Sequence, residues 1–322
     1  MTAPQPVFSD VKDAARRLAG SIWHTPLVRS DWLSSVTGAD VWLKLEIVQA
    51  TGSYKVRGAL NALIRLRERQ PDIKTIVTAS AGNHGLAVAW AAKRVGVEAR
   101  VHVPATSPAV KKNAIAALGA AVIEASSYEA AESQGQDDAA ARQTAYLSPY
   151  SHSDVIAGAG TVALEMFADE PSLDTIVVPL GGGGLLSGAS IVARAVRDHA
   201  LIVGAEAEAS PVFTFALAAG RVVDVRVETT LADGLAGNME HDSQTFGIVR
   251  DTVDHIALVA ESSIELAMRE LIRRERLIAE GSGAAGVAAL LQRGVPLTGR
   301  RVGVILTGRN VDAGVIARVL RS

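Results

Sequence analysis

The sequence predicts an α/β protein with parallel sheets covered by helices on both faces, a smaller α/β unit being inserted in a larger one. Three observations predict it. Short β-branched runs alternate with Ala- and Leu-rich helical stretches through most of the 322 residues. Strand-helix-strand units of that kind build parallel sheets. Glycine-rich turns stand where several of these strands hand over to helices, as in "PLGGGGLLSG". The chain is also 48% hydrophobic, enough at this length for a large core and two domains.

Taken in order, "TIVTAS" (Thr75 to Ser80) reads as a strand, "HGLAVAWAAKRVG" as a helix and "ARVHVP" as the next strand. "PAVKKNAIAALGA" and "AVIEAS" repeat the pair and close the inserted unit near Ala125. The polar, alanine-rich piece from Tyr128 to Thr144 reads as a helix without a strong buried face. Beyond it, "DTIVVPL", "GLLSGASIVARAVRD" and "ALIVGAEAE" continue the larger unit. Ser262 with Glu265 three residues on has the pattern of a capping box opening "IELAMRELIRRER".

Composition narrows the function. The net charge is −2 and the pI about 6.4, so charge gives no reason to expect nucleic acid or an anionic membrane. The densest basic run, "RELIRRER", alternates with acids and reads as the wet face of a helix. With no cysteine, disulfides, thiolate zinc sites and cysteine nucleophiles are excluded. No uninterrupted apolar run reaches bilayer length, and the first residues lack a signal peptide's apolar core, so a soluble, cytoplasmic protein is expected.

Four stretches carry chemistry. In "TGSYKVRGA" (Thr51 to Ala59) Lys55 stands among small and apolar neighbours. A lysine whose surroundings disfavour its charged form is a usable nucleophile or base. The alternative is a surface lysine opening an amphipathic helix. In "DTIVVPLGGGGLLSG" four consecutive glycines, Gly181 to Gly184, free the backbone to aim N–H groups at one anion, with a helix N-terminus behind them. Glu206 lies about where a dinucleotide fold puts its acid, roughly 20 residues on. Yet no register of the glycines satisfies G-x-G-x-x-G, and no Gly-Lys-Ser/Thr follows, so a small phosphate monoester fits best. "TASAGNHGLAVA" offers backbone donors at Ser80, Gly82 and Gly85 and the Asn83 amide, which suits a substrate carboxylate; taken alone, such a stretch is more often just a capped strand-helix turn. "VGVILTGRNVD" ends a strand with Thr307 and Asn310 flanking Gly308.

A lysine, a phosphate cup, a carboxylate turn and a terminal hydroxyl are together what pyridoxal phosphate requires. The order "GSYKVRGA", "SAGNHG", "PLGGGGLLSG", "AEGSGAAGVAAL" and "LTGRNVD" resembles the fold-type II pyridoxal phosphate enzymes, most closely the threonine/serine dehydratase and serine racemase branch. The resemblance runs from "HTPL" (His24 to Leu27) onward. It implies two doubly wound, three-layer αβα domains, residues 1–74 plus 146–322 around the cofactor and an inserted 75–145. It implies that Lys55 links covalently to pyridoxal phosphate and that Tyr54 backs the ring. Asn83 would bond the phenolic oxygen, Gly181, Gly182, Gly183, Gly184 and Leu185 would hold the phosphate, and Thr307 would meet the ring nitrogen. Ser80, Ala81, Gly82, Asn83 and His84 would face the substrate. A neutral hydroxyl at Thr307 suits elimination over transamination. Glu280 sits nearby with no role assigned. His24 and His84 are candidate proton shuttles, although capping or packing suits His24 better. A homodimer or higher homo-oligomer is implied.

Three positions depart from the pattern. Ala81 replaces the serine that serves the second face of Cα in serine racemases, which favours dehydratase over racemase. Glu206 is present, but Val212 stands six positions on, where relatives with a divalent cation carry an aspartate; no metal is expected. Leu86 replaces a common glutamine and Tyr54 a common phenylalanine, leaving the substrate side chain open. The resulting expectation is α,β-elimination from an L-threonine- or L-serine-type amino acid. Racemases, β-replacement synthases and dehydratases for 3-hydroxyaspartate or the hydroxyectoine pathway share the framework. A nucleotide-binding regulator with Lys55 inert is the alternative of another class.

Overall fold

The protein is described by a computed structural model over residues 4–295 and 297–321. Its larger sheet runs in the order β1 (Leu27–Arg29), β2 (Asp40–Leu45), β9 (Arg301–Leu306), β6 (Thr175–Leu180), β7 (Leu201–Ala207), β8 (His255–Val259). The smaller contains β3 (Thr75–Ala79), β4 (Glu98–Pro104) and β5 (Ala121–Ala125) in that order. Only the β1–β2 pair is antiparallel among these ladders. The helices are α1 (Phe8–Leu18), α2 (Asp31–Thr37), α3 (Lys55–Arg69), α4 (Asn83–Val95), α5 (Ala109–Ala117), α6 (Tyr128–Ala141) and α7 (Ser153–Asp169). They continue as α8 (Gly184–Val196), α9 (Val212–Ala219), α10 (Gln244–Thr252), α11 (Glu261–Glu270), α12 (Gly281–Leu291) and α13 (Ala313–Arg321).

Strand alternation sorts the large sheet's side chains into two cores. Ile176 and Val178 of β6 pack with α1, α7, α8 and Phe213 of α9 on one face. Val177 packs with α2, α11, α12 and α13 on the other. A central strand covered on both faces reads as the unbroken apolar run "TIVVPL", and every residue of β6 is buried. The small sheet repeats the arrangement. Val101 and Val103 of β4 meet α4 and the apolar side of α3 on one face, and Ala79 and Ala125 meet α6 on the other. The doubly wound expectation therefore holds in both sheets. Helix α3 serves the small sheet although it precedes β3 in the chain.

The capping box expected at Ser262 is absent. Helix α11 starts one residue earlier, at Glu261, with Ala260 at its N-cap and no side-chain cap. Glu261 instead turns outward and accepts from Thr230 Oγ1 at 2.6 Å and Leu231 N at 2.6 Å. The helix also stops short of "RRER": residues Leu271–Glu275 are a π-turn ended by Arg276 at φ 60°.

Candidate active site

In a parallel sheet the strand ends deliver the loops that bind ligands. The carboxyl ends of β3, β6 and β9 deliver Ser80, Gly181 and Thr307 to one cavity of about 390 Å³, between the two sheets. That volume lies within the range of roughly 300–1,000 Å³ typical of small-molecule sites.

Lys55 is fixed at the cavity floor by backbone pairing. Ser53 bridges Gly308 in antiparallel fashion, and Tyr54 N donates to Thr307 O at 3.0 Å. Helix α3 then begins at Lys55, so the lysine opens an amphipathic helix from inside the cavity rather than from the surface. Its Nζ donates to Pro149 O at 2.9 Å and sits 5.3 Å from the centroid of the Tyr54 ring. A cation over an aromatic face is favourably placed.

The glycine turn joins β6 to α8. Gly183 has φ +84°, and a Cβ there would stand 2.6 Å from Phe213 Cζ; a Cβ at Gly182 would strike the Tyr150 ring. The turn is thus moulded by the protein's own side chains as well as by any ligand. Ser187 N makes the first bond into α8, to Gly183 O at 2.8 Å. The N–H groups of Gly184, Leu185 and Leu186 precede it and have no intrahelical acceptor, which makes this end a site for an anion. Gly181 to Leu185 all line the cavity.

The opposite wall is the turn into α4. Ser80 N is committed to His102 O at 3.0 Å and Gly82 N to Ser80 Oγ at 3.2 Å. These two expected donors are therefore occupied, because the strand ladder and a local turn claim them. The donors left for a carboxylate come from the first turn of α4, starting at Asn83. Ala81 and Leu86 also line this side. His84 is 3% exposed, with Nε2 bonded to Leu147 O at 3.2 Å. Burial, then the Lys55 charge, push it down to about 3, which favours the neutral imidazole at ordinary pH. His24 lies outside the cavity and pairs with Asp169 at 2.8 Å on the surface.

Pro149 and Tyr150 belong to the site and carry no motif; the only signal was a short "LSPYS" loop after the inserted unit. Glu280 is 6% exposed, and its Oε1 accepts from Asn83 Nδ2 at 2.6 Å. Burial, with the Asp233 charge adding to it, pushes Glu280 up to about 7. Lys111 and Asp233 pair at 2.9 Å across the cavity mouth. Glu206 lies elsewhere, with its carboxylate accepting from Phe213 N at 2.6 Å and from Thr214 N at 3.0 Å at the start of α9. It ties β7 to that helix. No cluster of three metal-ligating side chains occurs among the described residues.

A primary amine, a glycine turn with free helix-terminal donors, an amide and a buried threonine around one cavity match the functional groups of pyridoxal phosphate. The fold and the site define a pyridoxal-phosphate enzyme. The family model of the pyridoxal-phosphate dependent enzymes matches residues 18–308, and the chain belongs to that family. It is 36% identical to an L-threonine ammonia-lyase of Thermotoga maritima over 97% of this chain and 78% of that one. It is 37% identical to an L-threo-3-hydroxyaspartate ammonia-lyase of Saccharomyces cerevisiae over 95% and 94%. The structure of maize serine racemase superimposes with a TM-score of 0.92 at 31% identity, covering 99% of this chain and 98% of that one. Among the described residues no helix is long and apolar enough to cross a membrane.

Proposed function

We propose that this enzyme is an ammonia-lyase acting on a β-hydroxy-α-amino acid of the L-threonine or L-serine type, releasing a 2-oxo acid and ammonia. The chemistry the cofactor supplies when bound is an electron sink that makes the α-hydrogen of an attached amino acid acidic. The protein supplies the rest. The glycine turn and α8 hold the phosphate. The first turn of α4 holds the substrate carboxylate. Lys55 Nζ would hold the cofactor and would be the base placed to take the Cα proton.

What supports the reading is the likeness to ammonia-lyases over nearly the whole chain, joined by the side chain at position 81 of the cavity wall. At Ala81 there is only a methyl group. A proton leaving one face of Cα thus finds no hydroxyl at position 81 to return it from the other, and loss of the β-hydroxyl is the favoured path.

The test is ammonia release from L-threonine, L-serine and L-threo-3-hydroxyaspartate, with chiral chromatography of the residual amino acid. Ammonia and oxo acid should dominate, and Ala81→Ser should raise racemisation relative to elimination. Wild type forming D-serine as fast as pyruvate would reject the reading. We further propose a cytoplasmic homodimer or higher homo-oligomer, divided as 1–74 plus 146–322 and 75–145. Helix α3 is then shared between the two units, which its packing on the small sheet supports.

A further inference from the structure

We propose that Glu280 and Asn310 are positioning residues that lock the Asn83 side chain so that it offers the cavity a hydrogen-bond donor and never an acceptor. The inference rests on the reading that Asn83 meets the cofactor's phenolic oxygen. It adds how that amide is oriented, and by which residues.

A side-chain amide carries two N–H donors at one end and an acceptor oxygen at the other, and its shape is nearly the same either way round. At Asn83 both ends are claimed. Nδ2 donates to Glu280 Oε1 at 2.6 Å, and Oδ1 accepts from Asn310 Nδ2 at 2.6 Å. Turning the amide over would set its oxygen against the Glu280 carboxylate and its nitrogen against the Asn310 nitrogen. The Asn310 contact would become like-against-like at any pH, because its nitrogen is already tied to Thr51 O, and the Glu280 contact whenever that carboxyl is ionised. What remains for the cavity is the second N–H of Nδ2, since all three residues line it.

The partners are themselves held. Asn310 Nδ2 also donates to Thr51 O at 2.7 Å, and Thr51 has φ 59° in the loop leading to Lys55. The residue that orients Asn83 therefore also braces the lysine's loop. Glu280 N donates to Gly308 O at 3.0 Å. A Cβ at Gly308 would strike Glu280 Oε1 and come within 3.1 Å of Asn83 Nδ2, so the glycine leaves room for the pair. Sequence cannot show this arrangement, because its members come from the start of α4, the start of α12 and the exit of β9.

A donor at the phenolic oxygen favours its ionised form, so the variants have a spectroscopic signature. The experiment measures the dissociation constant for pyridoxal phosphate added to cofactor-free protein, and the pH dependence of the bound cofactor's visible band. Glu280→Ala should weaken binding about tenfold, the equivalent of about 1.4 kcal/mol, and shift the band's titration to higher pH. Glu280→Gln, which keeps an oxygen acceptor, should recover most of that loss. Asn310→Asp, acting from the other end, should move both readouts the same way. In an Asn83→Ala background Glu280→Ala should add nothing further. Far-UV circular dichroism and a urea titration identify any variant that fails to fold. Additive effects of Asn83→Ala and Glu280→Ala, or a Glu280→Ala protein with unchanged affinity and spectrum, would overturn the proposal. If Asn83→Ala alone changes neither readout, the contact between Asn83 and the cofactor is what fails.

Discussion

At Lys55 the hydrogen bond made by the amine goes to the Pro149 carbonyl, and the rest of the side chain spans the cavity rather than the core. Truncation therefore removes a contact worth about 0.5–1.5 kcal/mol. Lys55→Ala should stay folded, with a urea midpoint close to the parent's, while losing lyase activity and the visible band that borohydride abolishes. A band that persists in the purified variant would show that another amine carries the cofactor. Other single positions behave differently. Any side chain at Gly183 meets a left-handed backbone, which disfavours it by about 1–2 kcal/mol, and also meets Phe213. Substitution there disturbs folding together with phosphate binding, so it reports on the loop less cleanly than Lys55→Ala reports on the amine.

The start of α3 is held as an element, by charges that the cavity never sees. Arg57, two residues beyond the lysine, is fully buried between Glu46 and Glu165. Its guanidinium bonds Glu46 at 2.8 and 2.7 Å and Glu165 at 2.6 and 2.9 Å, a fork to each carboxylate. Those charges hold it well above the usual arginine range despite its burial. Lys44, also fully buried, joins Glu165 at 2.8 Å. Removing one partner of such a group strands the others, at a cost of about 3–5 kcal/mol. Arg57→Ala should show that loss in urea unfolding, and Arg57→Lys should recover little, since an ammonium cannot reproduce two planar forks. A loss below about 1 kcal/mol would mean that the carboxylates find water instead.

The elements also show what could be read in advance. Strands β3 to β7 and the glycine turn follow from local pattern, because alternation and glycine content are properties of neighbouring residues. Arg57 in "SYKVRGA" gave no hint of its two carboxylates, since they lie 11 and 108 positions further along or back in the chain. Pro149, Tyr150 and the Glu280 pair escaped for the same reason. At Ser262 a local pattern was present, but Thr230 and Leu231 took hold of the adjacent Glu261.

For the molecule as a whole, two buried groups set opposed responses to acid. His84 has dropped from 6.5 to about 3. Between those values the unfolded chain binds a proton that the native protein does not, so stability is lost as pH falls below about 6.5. Glu280 has risen from 4.5 to about 7, and the native protein keeps a proton that the unfolded chain has given up. That contribution is complete below pH 4.5 and is lost as pH rises through about 7. From pH 4.5 to 6.5 the two slopes oppose each other. Glu280→Gln removes one of them. The stability of the parent relative to that variant should fall by about 1 kcal/mol per pH unit as pH rises from 4.5 to 7. Urea titrations of both cofactor-free proteins across that interval measure it, and a constant difference would show that Glu280 does not titrate there.

The pairing of residues 53–54 with 307–308 has a consequence for the order of events during synthesis. Thr51 and Asn310, joined beside that pairing, are 259 positions apart. On a ribosome, Lys55 emerges long before the segment that fixes it has been made. The small sheet, whose strands are near neighbours in sequence, can assemble meanwhile. The lysine's loop must wait for the last strand. Colour in this protein is therefore a late event in its birth, a marker that residues 53–54 have met residues 307–308.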